Sequence, residues 1–288
     1  MNARRPGVIT GAMDDLAEAT AVEPHGGRFR GRLSPAWEVW GPNGGYVATV
    51  ALRAAGAAAP FTRPASVSCH FLSVAESREV DLDVVLLRKT RKAASLRVSM
   101  TQDARPILEA IVWVVDPTHA GLVHDDAPAP DVPRPEALPP LDDLPRIADG
   151  PRFPFWDHVE CRPIDGVPPP WRPQPPRMRR WLRFRPRATF ADDPFVDAGR
   201  AVVLLDTHLW GPAWLHHGPD SPWIAPTLDL AVQFHRAAPS CEWLLCDATS
   251  PVAAEGLVGA RASLWDLDGR LLASAAGQLF CKRAPAGA

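Results

Sequence analysis

The chain presents the same order of predicted secondary-structure elements twice, once on each side of a proline-rich segment. In the first half we predict a strand at 29–39, a helix at 44–58 and strands at 65–74, 79–87, 94–102 and 107–115. In the second half we predict strands at 153–161 and 179–185, a helix at 194–209 and strands at 228–236, 243–249, 256–265 and 270–281. Each half therefore combines one long helix with an antiparallel meander.

Individual residues support a duplication. The pattern Val67-x-x-x-Phe71-x-x-x-Ala75 recurs as Leu230-x-x-x-Phe234-x-x-x-Ala238, and the turn Asp103-Ala104-Arg105 recurs as Asp268-Gly269-Arg270. A four-turn helix wrapped by a strongly curved antiparallel sheet is the hotdog layout, and two copies in one chain would pair as two separate hotdogs do. We therefore predict an α+β tandem hotdog in which two curved sheets each wrap a central helix.

The prolines indicate where the halves are joined. The segment DDAPAPDVPRPEALPPLDDLP lacks the amide hydrogens and the free φ angles that a long helix or a central strand needs. We expect an N-terminal hotdog domain at 1–116, a proline-rich linker at 117–150 and a C-terminal hotdog domain at 151–288.

Composition excludes several classes of function. With 31 basic and 33 acidic residues the formal net charge is −2, so we expect no nucleic-acid partner. The sequence contains no run of 18 uncharged apolar residues, which a membrane-spanning helix would need. Near the start, acidic residues rather than an apolar segment follow Arg4 and Arg5, so we expect a cytoplasmic protein. The 5 cysteines form no Cys-x-x-Cys pair, which favours free thiols over zinc.

Asp206 is the candidate that stands out chemically. In AVVLLDTHLWGPAWL, residues 201–215, it is the only formally charged side chain on a helix that should otherwise pack against the sheet. Such a carboxylate must find partners, although a helix-face acid that reaches solvent is the simpler interpretation of an isolated Asp. Burial would raise its pKa and hydrogen bonds would favour the anion, which could leave a base active at neutral pH.

The chain resembles a known family, the double-hotdog acyl-CoA thioesterases of the type II, medium- and long-chain kind. The resemblance covers both halves. It is carried by Gly44-Gly45-Tyr46, His70-Phe71-Leu72, Leu87-Arg88-Lys89, Thr227-Leu228-Asp229, Phe234-His235-Arg236, Glu242-Trp243-Leu244-Leu245 and the run from Asp268 to Gln278.

The resemblance implies a hydrolytic site made of three polar side chains. In the family an Asp on the second helix, a Thr opening the following strand and a Gln on the last strand hold a water, and the matching positions are Asp206, Thr227 and Gln278. Taken alone, Thr227 would be a strand-start residue and Gln278 a polar edge-strand residue. Hydroxyl and amide groups can both donate and accept, so they suit a water aimed at a thioester carbon.

The first half should lack such a site. Thr227 corresponds to Pro64 and Gln278 to Trp113, and no Asp or Glu occurs from 39 to 75. We therefore expect one hydrolytic site per chain, formed mainly by the second half.

Three further residues are candidates for substrate binding. Gly44 and Gly45 could let a ligand approach free amides at a helix start, although tight packing there explains them equally well. Arg236 could meet a phosphate of CoA. The histidines at 208, 216, 217 and 235 show no metal-binding spacing, so packing or surface roles are expected and no metal is predicted.

The resemblance thus predicts an acyl-CoA thioesterase that hydrolyses a fatty or related acyl-CoA to free acid and CoA by direct attack of water, without a cofactor. Its expected partner is acyl-CoA or another acyl thioester, and its expected assembly is a homodimer. Two alternatives stay open: a noncatalytic acyl-thioester-binding protein, and a hydratase or dehydratase in which His208 would act with an acid.

Overall fold

The computed structural model describes residues 13–145, 152–165 and 171–284. The helices are α1 (Leu16–Ala19), α2 (Gly44–Ala58), α3 (Pro194–Leu209) and α4 (Gly211–His217). The strands are β1 (Val22–His25), β2 (Arg28–Arg32), β3 (Arg63–Phe71), β4 (Glu79–Lys89), β5 (Ala93–Gln102), β6 (Arg105–Val115), β7 (Val159–Pro163), β8 (Arg177–Phe184), β9 (Trp223–Ile224), β10 (Thr227–Phe234), β11 (Leu244–Ala254), β12 (Leu257–Trp265), β13 (Leu271–Phe280) and β14 (Lys282–Arg283). The expected boundary at residues 150 and 151 lies outside the described residues.

Twelve strands form one antiparallel sheet in the order β1-β2-β4-β5-β6-β3-β10-β13-β12-β11-β8-β7. The two halves meet at the centre, where β3 pairs with β10. There Val232 pairs with Val67 and Leu230 pairs with Cys69. Val67 and Cys69 correspond to Leu230 and Val232 at an offset of 163 residues, so each pair is the equivalent of the other with the halves exchanged. The repeat found in the sequence therefore relates the two halves by a local twofold axis.

The two long helices lie antiparallel against each other and bury their apolar faces on the sheet. Gly45 of α2 faces Val202 of α3, and Gly56 at the other end of α2 faces Phe195. A Cβ at Gly56 would lie 2.5 Å from Cγ of Phe195, so only glycine permits this approach. Together with the inner side chains of the sheet, both helices contribute to one continuous apolar core.

The bounds of α2 and α3 confirm the predicted helices at 44–58 and 194–209. The predicted strand at 29–39 is wrong beyond Arg32, because Pro35 cannot donate to a neighbouring strand and a 3-10 turn, Pro35–Trp37, forms instead. The hydroxyl of Ser34 caps this turn by accepting from the amide of Ala36. The start of the predicted strand at 153–161 is likewise a 3-10 turn, Pro154–Asp157, and β7 begins only at Val159.

The described part of the proline-rich segment packs against the second half. Its residues Val132 and Leu138 contact a small apolar cluster on the outer sheet face, made of Trp181, Trp243, Leu245 and Trp265. The indole Nε1–H of Trp181 donates to the carbonyl of Pro133 at 2.9 Å. The segment therefore covers part of the sheet as well as joining the halves.

The five cysteines are all free thiols, and Cys69, Cys161 and Cys246 are buried. Within the described ranges, every helix is too short or too polar to cross a lipid bilayer.

Candidate active site

Asp206 lies in the last turns of α3, where that helix contacts the N-terminus of α2. The residue is only 7% exposed. Its neighbours on α3 are almost all apolar and buried, because the helix runs between the sheet and α2. The carboxylate is thus taken out of bulk water and depends on a few specific donors.

The first of those donors comes from the other half of the chain. The amide N–H of Gly45 donates to Oδ2 of Asp206 at 2.7 Å. A Cβ at Gly45 would lie 2.6 Å from the carbonyl oxygen of Val202, so a larger residue would force α2 away from α3. The positive end of the α2 dipole also faces the carboxylate, which favours its anionic form.

The second donor is a side chain on the sheet. Thr227 opens β10, and its Oγ1 donates to Oδ1 of Asp206 at 2.9 Å. Each carboxylate oxygen therefore accepts one hydrogen bond and keeps a lone pair for another partner. Thr227 pairs with Leu279 of β13, and a bulge follows between Thr227 and Asp229.

These surroundings change the acidity of the group. Burial raises the pKa of Asp206 from its ordinary value of 3.8 to about 6, while the hydrogen bonds from Thr227 and Gly45 oppose part of that rise. The carboxylate is therefore mostly anionic at neutral pH, yet basic enough to accept a proton from a nearby water.

Gln278 is not brought to this group. On β13 the buried positions are Gly277 and Leu279, and a Cβ at Gly277 would lie 2.7 Å from Leu209 of α3 and 3.7 Å from Thr227. Successive residues of a strand point to opposite faces, so Gln278 lies on the outer face. Its Oε1 is 3.9 Å from where a Cβ of Gly259 would stand. The prediction that Gln278 shares a water with Asp206 is corrected accordingly: the register places glycine at the inward position.

Of the three predicted substrate-binding residues, Gly44 and Gly45 lie beside Asp206, whereas Arg236 does not. Gly44 adjoins Asp206, since a Cβ on it would lie 2.8 Å from Oδ2. Arg236 lies two residues beyond Phe234, the far end of β10, which is itself about 23 Å along the strand from Thr227 at roughly 3.3 Å per residue. Its guanidinium pairs with Asp125 at 2.9 Å. Arg236 is therefore not part of the group around Asp206, because the strand carries it to the opposite end of the sheet.

The histidines do not form a metal site. Among the described residues, His, Cys, Asp and Glu side chains form no cluster of three or more suited to a metal ion. His208 stands about 200° around the helix from Asp206. Its Nδ1 bonds the carbonyl of Leu204 at 2.7 Å, its ring meets Trp156 edge-on, and burial lowers its pKa to about 3. A His208–Asp206 acid–base pair is thus not formed.

The sequence analysis missed residues that hold the α2 N-terminus in place. Asn43 caps α2 by accepting from the amide of Tyr46, and its Nδ2 donates to Oγ1 of Thr207 at 3.0 Å. Thr207 is anchored in turn through its hydroxyl, which donates to the carbonyl of Val203 at 2.7 Å. The signal was present, since Asn directly before a Gly-Gly helix start is a strong capping residue. Its partner on α3 could not be read from the sequence.

At the opposite end of the α2–α3 pair, the position equivalent to Asp206 is a glycine. Gly56 occupies on α2 the place that Asp206 occupies on α3, and the ring of Phe195 covers it. The carboxylate at that end is Asp193, which caps α3 by accepting from the amides of Phe195 and Val196 and is paired with Arg53 at 3.2 Å.

Comparison with known families gives two matches. The acyl-CoA thioesterase C-terminal domain family matches residues 125–280, and the acyl-CoA thioesterase N-terminal domain family matches residues 33–115. Comparison with curated proteins yields no match.

Solved structures resemble the chain over nearly its whole length. The tesB protein of Mycobacterium avium subsp. paratuberculosis is 25% identical with a TM-score of 0.76, covering 93% of this chain and 98% of that one. The acyl-CoA thioesterase II TesB2 of Mycobacterium marinum is 21% identical with a TM-score of 0.74, covering 94% and 99%. A hot dog fold protein from Alicyclobacillus acidocaldarius is 23% identical with a TM-score of 0.74, covering 94% and 98%. These likenesses establish the hotdog fold.

Proposed function

The chain belongs to the acyl-CoA thioesterase family and is a thioester hydrolase, and from this premise we propose that it cleaves a fatty or related acyl-CoA to the free acid and CoA at Asp206. The observation that carries the proposal is the buried carboxylate held between Thr227 and the amide of Gly45. We also propose that the fold is a tandem double hotdog, which the repeated element order and the central pairing of β3 with β10 support.

The chemistry follows from the lone pairs that Asp206 keeps. A water that donates one proton to the carboxylate presents its oxygen to the thioester carbon, and Thr227 holds the carboxylate in the orientation that receives this proton. The carbon–oxygen bond forms as the proton moves to Asp206. When the tetrahedral intermediate collapses, the carbon–sulfur bond breaks and the departing thiolate takes up that proton. Asp206 is thereby returned to its anionic form.

A panel of acyl-CoA substrates assayed with a thiol-trapping reagent tests the proposal. We expect stoichiometric release of CoA and free acid without any added cofactor. Tight acyl-CoA binding without thiol release would instead identify a noncatalytic binding protein. Conversion of an enoyl-CoA without thiol release would identify a hydratase, although His208 faces away from Asp206.

Gln278 provides a test of which face of β13 takes part. Because its side chain lies on the outer face, we expect Gln278→Ala to leave kcat and KM within about twofold of wild type, since surface substitutions away from structural features have small effects. Steady-state kinetics on one acyl-CoA suffice. A loss of 100-fold, in the range of a positioned acid–base group, would return this residue to the catalytic group.

The pKa of Asp206 predicts the acid limb of the pH profile. Only the anion can accept a proton, so kcat/KM should rise as pH increases through about 6 and then level off. Thr227→Val removes a donor that favours the anion, so the limb should move to higher pH, and Thr227→Ser should restore it. If the acid limb of Thr227→Val stayed at the wild-type pH, the hydrogen bond from Thr227 would have no effect on the group that titrates.

A further inference from the structure

A pocket lies at the end of the molecule opposite Asp206. It encloses about 240 Å³ between the first turns of α3 and the sheet, where β10 ends and β13 begins. The side chains that line its interior are largely apolar and come from α3, β10, β11, β12 and β13. They include Ala198, Ala201, Phe234, Leu244, Leu264 and Leu272.

The size of this pocket suits a small apolar body. A buried apolar cavity of about 150 Å³ accommodates benzene, so about 240 Å³ suits roughly six to ten carbon atoms. Ala198 lies in the wall on the first half of α3, where its short side chain leaves the space open.

Three arginines give the pocket its polarity. Arg200 is buried and ion-paired with Asp197, and its guanidinium also donates to three backbone carbonyls. Its Nε–H, however, has no hydrogen-bond partner among the described residues. Arg236 is paired with Asp125. Arg63, exposed at the rim, only reaches the carbonyl of His235 at 3.4 Å and meets no carboxylate in the described parts of the chain. The pocket therefore has one positive charge in excess.

The local twofold relation connects this pocket to the catalytic end. Phe234 in its wall is the counterpart of Phe71, whose ring lies 3.3 Å from where a Cβ of Gly44 would stand. On this side the counterpart of Asp206 is Gly56. The carboxylate of Asp197, which also lines the pocket, is held by Arg200 and by the amide of Ala238 and is therefore not free to activate a water. The pocket thus keeps a place for a ligand and lacks the group that would hydrolyse one.

We propose that this pocket is a noncatalytic site for a monocarboxylate with an apolar body of roughly six to ten carbons. The body lies among Ala198, Phe234 and Leu264, and the carboxylate pairs with Arg63 at the rim. Acids released by thioester cleavage belong to this class of ligand. The proposal itself does not depend on the hydrolytic activity.

Titration calorimetry with hexanoate tests this site. We expect the wild-type protein to bind hexanoate more tightly than 1-hexanol, which lacks the negative charge, and more tightly than acetate, which lacks the hydrocarbon chain. Arg63→Gln should weaken binding about tenfold, as for loss of a charged hydrogen bond. Arg261→Gln is the matched control, because it removes the same charge from the exposed outer face of β12 and should leave binding unchanged.

Two further variants locate the ligand and separate this proposal from the catalytic one. Ala198→Leu, with folding checked by circular dichroism, should abolish hexanoate binding by filling the pocket. Asp206→Asn should retain it, whatever its effect on hydrolysis. Binding that survives in both Arg63→Gln and Ala198→Leu, or no binding to the wild-type protein, would overturn the proposal. Neither result would bear on cleavage at Asp206.

Discussion

Asp206→Asn is expected to lower acyl-CoA turnover by about 10²- to 10⁴-fold, the usual contribution of a positioned base. The substitution keeps the size of the side chain, and an amide can still accept from Gly45. What it removes is the ability to accept a proton from water. The effect should therefore appear in kcat, with little change in substrate affinity.

The same variant should be at least as stable as wild type above pH 6. The pKa of Asp206 is about 6 in the folded chain against an ordinary value of 3.8, so between these values the folded state binds more protons than the unfolded state. Stability is therefore lost as pH rises through this window, by about 3 kcal/mol. Asn carries no charge and avoids this loss. Thermal unfolding at pH 5 and pH 8 measures the difference.

Asp229→Asn is the control for that experiment. Asp229 is two residues beyond Thr227, but it pairs with Gln278 and His70 on the outer face of the sheet. It should keep near wild-type turnover. Equal losses in the two variants, or full activity in Asp206→Asn, would reject Asp206 as the base.

The second large effect is expected from Gly45→Ala. The added Cβ would lie 2.6 Å from the carbonyl oxygen of Val202 and 3.0 Å from Cβ of Asp206, so α2 must move. That movement lengthens the 2.7 Å hydrogen bond to Asp206 and misaligns the carboxylate. Displacements of about 1 Å can cost about 10²-fold in rate, and overpacking of this kind destabilises by about 1–3 kcal/mol.

Gly259→Ala separates this effect from a general intolerance of alanine. A Cβ at Gly259 meets its nearest atoms only at 3.9 Å, which is ordinary contact. Both the rate and the melting temperature should stay near wild type in this variant. If Gly45→Ala behaved the same way, the close approach of α2 to Asp206 would have no part in catalysis.

The parts of the fold that the sequence predicted well are those set by local patterns. The helices predicted at 44–58 and 194–209 agree with the structure, in which each begins at a capping side chain, Asn43 or Asp193, and carries a long apolar face. The strand predicted through Pro35 failed because this residue has no amide hydrogen for a neighbouring strand, and a 3-10 turn forms there instead.

The candidate site was only partly predictable, since it depends on which face of a strand is buried. A displacement of one residue moves a side chain to the other face. Gln278 and Gly277 are neighbours in a stretch with few bulky residues, so the sequence alone did not distinguish the two registers. Asp206 was singled out as a lone charge in an apolar helix and Thr227 through the family resemblance, and the structure brings the two side chains into contact. The contact of Asp206 with Gly45 spans 161 residues and arises only from tertiary packing.

The group around Asp206 is divided between the two halves of the chain, which has a consequence for complementation. The carboxylate and the hydroxyl come from one half and the glycine amide from the other, yet all three belong to one polypeptide. A chain carrying Asp206→Asn and a chain carrying Gly45→Ala would each retain what the other has lost. Mixing them should restore no turnover, because assembly of whole chains does not exchange their halves.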